Sequence, residues 1–188
     1  MMFANLLVRP ACRARCAVRA ALCGAFLVSA AAVTQAQTQT IEVTDLAGRT
    51  VKVKAGVERV ILGEGRLMYG VGILEKDAPF KRIAGWAEDM ILFDPGTYRK
   101  YKAKFPEMDQ VPRFGSAFSG DFSAEKAIAL NPDLVLMPLS TVFRTRETGL
   151  AEKLERAGIP MLFIDLREDP LVNTVPSMML LGQVFARE

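Results

Sequence analysis

The chain of 188 residues contains no histidine, and its three cysteines, Cys12, Cys16 and Cys23, all fall within the first 23 positions. Without histidine there is no Ser-His-Asp triad, no Cys-His pair and no His-containing metal cluster. Within the sequence after Cys23 no disulfide can form, even in an oxidising compartment. Tryptophan occurs once, as Trp86. No acidic residue precedes Glu42, and after residue 36 no apolar run is long enough to cross a membrane.

The early absence of acid is informative. Arg9, Arg13, Arg15 and Arg19 form a positive segment, Ala20 to Val33 is almost wholly apolar, and Thr34-Gln35-Ala36 offers small residues at a cleavage site. This order is that of a secretory signal peptide, predicted to span residues 1–36 and to be removed, leaving a periplasmic product. Cys23 does not fit lipid attachment: Leu22 before it is bulky and Ala20 is small, the reverse of a lipoprotein signal. The formal charge of +3 comes from 24 basic and 21 acidic residues, and four of the basic ones leave with the leader. The remainder is slightly acidic and has no like-charge block, which argues against a nucleic-acid partner.

From residue 37 the pattern is that of a single α/β domain. Ile41–Thr44 and Thr50–Val53 alternate around Asp45-Leu46-Ala47-Gly48 and predict a β-hairpin. Strands follow at Val60–Leu62, Arg82–Gly85, Leu134–Met137 and Pro160–Ile164, with a short extended piece at Val111–Phe114. Helices are predicted over Gly65–Glu75, from Asp94 as N-cap with Pro95 at the first position towards Phe105, from Ser123 as N-cap to Leu130, over Glu147–Ala157, and from Val175 to Glu188. Near-continuous apolar strands alternating with helices predict a three-layer, doubly wound, mostly parallel sheet, preceded by the hairpin. The last helix is apolar around most of its circumference at Met178–Leu181 and so needs cover on more than one side.

Ligands of such a sheet collect beyond the carboxyl ends of the strands. Four loops qualify: Gly63–Arg66, Trp86–Asp89, Gly115–Ser119 and Pro138–Thr141. The candidate ligand-binding residues are Glu64, Arg66, Trp86, Ser116, Phe118 and Arg144. Trp86 offers a stacking face for a flat or macrocyclic ligand. Arg66 and Arg144 suit an anionic complex held through charge-assisted hydrogen bonds. Their bland alternatives are a tryptophan filling a hydrophobic gap and solvated surface arginines. Gly63-Glu64-Gly65 fails as a dinucleotide fingerprint, because the third glycine position is Met68. The adjacent carboxylates Glu88 and Asp89 have no visible nucleophile or electrophile partner, so catalysis is not expected.

The string Phe122-Ser123-Ala124-Glu125-Lys126-Ala127-Ile128-Ala129-Leu130-Asn131-Pro132-Asp133-Leu134-Val135 resembles a signature of periplasmic binding proteins for iron complexes and cobalamin. In the same order, Thr44–Arg49 resembles the family's opening hairpin, Glu58–Ile61 its first core strand, and Leu154–Met161 its helix-to-strand join. Leu180–Gln183 with Ala186–Glu188 resembles the start of the long helix between its two lobes. The resemblance implies an N-terminal lobe over residues 37–170, the start of an inter-lobe helix over 171–188, and a second lobe that this sequence lacks. It implies the substrate-binding component, here truncated, of an ABC-type uptake system for a ferric siderophore or cobalamin. The ligand would be a pre-formed metal chelate, with no resident cofactor and no protein metal ligand, and the partner an inner-membrane ABC permease.

By the same resemblance Glu125 is the exposed carboxylate that docks on permease arginines. A carboxylate in a first helical turn is also favoured by the helix dipole, by roughly 0.3–1 kcal/mol. Haem-binding members carry a tyrosine ligand on or beside the position of Phe118, and phenylalanine cannot ligate iron. The alternatives are a small α/β enzyme or nucleotide binder of unrelated function, and a non-functional truncation product.

Overall fold

The computed structural model describes residues 39–187, and the expected leader lies outside them. Every residue of β3 (Val60–Leu62), β6 (Leu134–Pro138) and β7 (Met161–Ile164) is buried. Successive side chains enter opposite cores. Val60, Leu62, Leu134, Leu136, Leu162 and Ile164 face one, while Ile61, Val135, Met137, Met161 and Phe163 face the other. Burial on both faces is why these strands read as unbroken apolar runs. With β4 (Ile83–Ala87) and β5 (Arg113–Phe114) they form a five-stranded parallel sheet of order β5-β4-β3-β6-β7. The chain winds outward from β3 to β5 and then returns to the far side of β3, so the topological switch lies between β3 and β6.

On one face lie α1 (Met68–Leu74) and α7 (Pro170–Phe185), contributing Met68, Val71, Leu181 and Phe185 to the core, and α3 (Pro95–Lys104), which packs the partly buried Tyr98 and Tyr101 against it. On the other lie α4 (Ala124–Ala129) and α6 (Leu150–Arg156), contributing Ala124, Ala127, Leu150 and Leu154. Both predicted N-caps form: Asp94 accepts from Thr97 N at 3.0 Å and Ser123 from Lys126 N at 3.1 Å.

The hairpin of β1 (Thr40–Thr44) and β2 (Thr50–Lys54) is antiparallel. Its turn covers the β7 edge. Leu46 N donates to Phe163 O at 3.1 Å, Phe163 N to Asp45 Oδ2 at 3.2 Å, and Arg49 Nη2 to Met161 O at 2.7 Å. An otherwise open edge of backbone donors and acceptors is thereby satisfied.

Three expectations need correction. The helix expected over Glu147–Ala157 is the shorter α6, starting at Leu150 after Gly149 takes the left-handed conformation (φ 66°), and a separate helix not expected from the sequence, α5 (Val142–Glu147), precedes it. The Trp86–Asp89 loop is not free chain: it is the end of β4 followed at once by α2 (Asp89–Phe93). The last helix starts at Pro170, a proline in the first turn, rather than at Val175, and does not run on through the end. It closes at Phe185 with Ala186 left-handed (φ 52°) and Arg187 N donating to Gly182 O at 2.8 Å. One face of this helix is buried on its own sheet, and Leu171, Val172, Val175 and Met179 on another are exposed.

Candidate functional site

Beyond the carboxyl ends of the strands the backbone first makes a close approach. A Cβ on Gly65 would stand 2.3 Å from the Ala87 carbonyl, so only glycine lets the β3 and β4 exits touch. The glycine-rich turn thus serves packing rather than phosphate binding. Its amide donates to the Asp89 carboxylate. The next residue, Arg66, is then clamped: Nη2 lies 2.7 Å from Glu64 Oε1 and Nε 3.0 Å from Asp89 Oδ2.

A second arginine arrives from the loop after β7. Arg167 Nε lies 3.0 Å from the same Glu64 oxygen and its Nη2 lies 3.3 Å from Glu168. Glu64 is buried, and burial pushes its carboxyl above the ordinary value even though Arg167 and Arg66 pull it down. Asp165 fixes this loop. Its carboxylate accepts from the backbone N–H of Arg167, Glu168 and Asp169 at 2.8–3.0 Å and from Asn173 Nδ2 at 2.9 Å. Burial alone would raise Asp165, but these donors bring it down to about 2.

The Glu64–Arg66–Arg167 cluster closes the crevice over the β3/β6 switch, leaving only about 10 Å³ of free space there. The room lies to one side. A groove of about 500 Å³ runs over the ends of β4 and β5 and is lined by Arg66, Leu92, Phe93, Ser116, Phe118 and Arg167, among others. Phe93 is exposed, and Arg66 lies against its face at 5.1 Å. The Ser116 loop is held by its own bonds: Ser116 Oγ accepts from Phe118 N at 3.1 Å and Ser116 O from Asp121 N at 3.1 Å. That turn presents Phe118, 37% exposed, at the rim.

The predicted site residues are therefore only partly brought together. Arg66, Ser116 and Phe118 line the groove. Glu64 sits beneath it as the acceptor shared by two arginines. Trp86 is a correction: it is wholly buried, edge-on to Phe80 at 5.6 Å and stacked near Tyr98 at 6.3 Å, so no face is free for a ligand. Arg144 is a second correction. It lies on α5, outside the groove lining, and pairs with Glu147 at 3.2 Å. The Pro138–Thr141 loop also stays out of the groove, and Thr141 is buried with its hydroxyl donating to Pro138 O. Sequence reasoning missed Arg167 and Phe93. Arg167 follows the strand Pro160–Ile164, a fifth strand exit that deserved the same treatment as the other four.

Glu125 occupies the first turn of α4 with its side chain exposed, 3.1 Å from Lys153 Nζ. Its own backbone N–H and Lys153 hold its carboxyl below the ordinary value. Among the described residues no cluster of three or more Asp, Glu, Cys or His side chains is placed to hold a metal ion, and no helix is long and apolar enough to cross a membrane.

Comparison with solved structures places this α/β lobe in the fold of TroA-like periplasmic binding proteins. It is similar to the TroA-like periplasmic binding protein FepB of Veillonella parvula, with 30% identity and a TM-score of 0.71 over 79% of this chain and 43% of that one. It is also similar to the molybdate periplasmic binding protein MolA of Haemophilus influenzae, solved with molybdate (16% identity, TM-score 0.59, 78% and 47% of the two chains). A third is the siderophore-binding protein BauB, solved with ferric iron and two molecules of acinetobactin (22% identity, TM-score 0.56, 80% and 47%). All three are binding proteins rather than enzymes. The chain spans less than half the length of each. No family model matches the sequence, and no curated protein matches it.

Proposed function

We propose that this chain is the substrate-binding component of an ABC-type uptake system, and that its groove forms one wall of a cleft for a pre-formed metal chelate such as a ferric siderophore or cobalamin. The observation that carries this reading is the groove itself: about 500 Å³, open, and lined by two aromatic rings and two oriented guanidinium groups. Arg66 and Arg167 keep N–H groups beyond those bonded to carboxylates, and these suit the oxygens of a chelate whose metal is already coordinated. Phe93 and Phe118 supply apolar contact for its organic shell. The volume is large for a bare oxyanion. The likeness to binding proteins solved with a ferric siderophore complex and with molybdate supports the class of function.

On this reading the leader over residues 1–36 is removed and the product works in the periplasm. Glu125 meets an inner-membrane permease, and residues 171–188 open the connection to a second lobe. The docking role is supported by the exposure of the Glu125 carboxylate, whose surface pair with Lys153 contributes little to folding.

Isothermal titration of the chain with a ferric trihydroxamate and with cobalamin tests the binding function. Saturable binding of one of them, weakened at least ~10-fold by Arg66→Ala and by Phe118→Ala, is expected, a loss of about 1.4 kcal/mol. Binding that both substitutions leave untouched assigns the ligand to another surface.

A further inference from the structure

The charges around the groove narrow the ligand further. Five ionisable side chains line it: Arg66 and Arg167 against Glu88, Asp89 and Asp121. Neither arginine is a free cation. Arg66 is in contact with Glu64 at 2.7 Å and Asp89 at 3.0 Å, and Arg167 with Glu64 at 3.0 Å and Glu168 at 3.3 Å. The nearby basic groups do not redress the balance. Arg144 pairs with Glu147 and Lys153 with Glu125, and Lys126, turned to the Arg113 carbonyl, is not among the residues that line the groove. With both guanidinium charges already matched, Glu88 and Asp121 leave the wall with an excess of negative charge, and both are exposed to whatever enters.

We propose that this wall selects chelates of zero or positive net charge, an uncharged ferric trihydroxamate in preference to a trianionic ferric tris-catecholate. The inference rests on the chelate reading above and opposes the anionic complex that the arginines suggest when read from sequence alone. A polyanion has two ways to use Arg66 and Arg167, and both are unfavourable. It can approach the clamped guanidiniums as they stand, and then meets the excess carboxylates. Or it can take the place of Glu64 and Asp89, which strands two buried carboxylates without their cations. A neutral chelate meets neither obstacle. Its amide and hydroxamate oxygens accept from the remaining guanidinium N–H groups, and its organic shell lies on Phe93 and Phe118.

The test is titration of the full chain with two probes, ferrichrome as the uncharged trihydroxamate and a hexadentate ferric tris-catecholate as the trianion. The trihydroxamate is expected to bind at least ~10-fold more tightly at low ionic strength, with the gap narrowing as salt screens the wall. The double variant E88Q/D121N is expected to raise catecholate affinity by ~10-fold and so close most of that gap. Tighter binding of the catecholate, or a gap that E88Q/D121N leaves unchanged, overturns the charge selection while the chelate reading stands. Binding of neither probe overturns both.

Discussion

Arg167 donates from Nε to Glu64 Oε1 at 3.0 Å across 103 positions of the chain, and the same oxygen lies 2.7 Å from Arg66 Nη2. One buried carboxylate thus ties the exit of the first core strand to the exit of the last. Arg66 also bonds Asp89 and Arg167 also contacts Glu168, but Glu64 is the acceptor the two share, so folding and groove geometry are coupled through it.

Glu64→Ala should therefore lower stability by about 2 kcal/mol, since a buried side chain is lost and both guanidinium groups lose their shared acceptor. Arg167→Ala should cost less, because its guanidinium is partly exposed and Arg66 still neutralises Glu64. Urea midpoints of the two variants, measured at neutral pH, give the order. A smaller loss for Glu64→Ala than for Arg167→Ala would contradict the shared-acceptor arrangement.

Trp86 and Phe118 should behave in opposite ways. Trp86→Ala empties a fully buried site between Phe80 and Tyr98 and should cost about 3–5 kcal/mol. Phe118→Ala, at the groove rim, should change stability by less than about 1 kcal/mol and act on ligand affinity instead. Tryptophan emission should be that of an apolar environment in the free protein. Thermal unfolding of both variants checks the contrast.

How far this was readable beforehand depends on the kind of signal. Val60–Leu62, Leu134–Met137 and Pro160–Ile164 announced buried parallel strands because every position is apolar, and burial on both faces demands that. The caps at Asp94 and Ser123 were local and therefore legible. Trp86 was not, because composition cannot say which way a side chain at a strand end points. It turns inward, where Phe80 and Tyr98 await it. Arg144 was misplaced because it sits on a six-residue helix, α5, that begins just past the Pro138–Thr141 strand exit. Glu64, Arg66 and Arg167 form a cluster only through the strand order β3-β6-β7, a long-range fact with no local sequence trace.

Acid should loosen the site's foundation. The Asp165 carboxyl is depressed from an ordinary value of 3.8 to about 2 by the N–H groups that converge on it. Its contribution is complete above the ordinary value and is lost as pH falls through the depressed one. Asp94, also lowered to about 2 by Tyr69 and Thr97, acts in the same direction on the start of α3. Urea midpoints should fall between about pH 4 and about pH 2, and Asp165→Asn should flatten part of that slope. A pH-independent midpoint for the unaltered chain across this window would refute the role given to these carboxylates.

Glu125→Gln should leave folding within about 0.5 kcal/mol, because the Lys153 pair is exposed. Placed at the corresponding position of a full-length relative, it should reduce uptake and permease affinity without altering chelate binding. Undiminished uptake with unchanged permease affinity removes the docking role.

The most direct measurement is a backbone-amide NMR titration with a gallium(III) trihydroxamate, the diamagnetic counterpart of the ferric complex. Shift changes should concentrate at residues 64–66, 88–93, 115–121 and 165–168, the four exits that surround the groove. Changes confined to the exposed face of α7, or none at all under saturating chelate, would contradict the assignment of the strand ends as the binding wall.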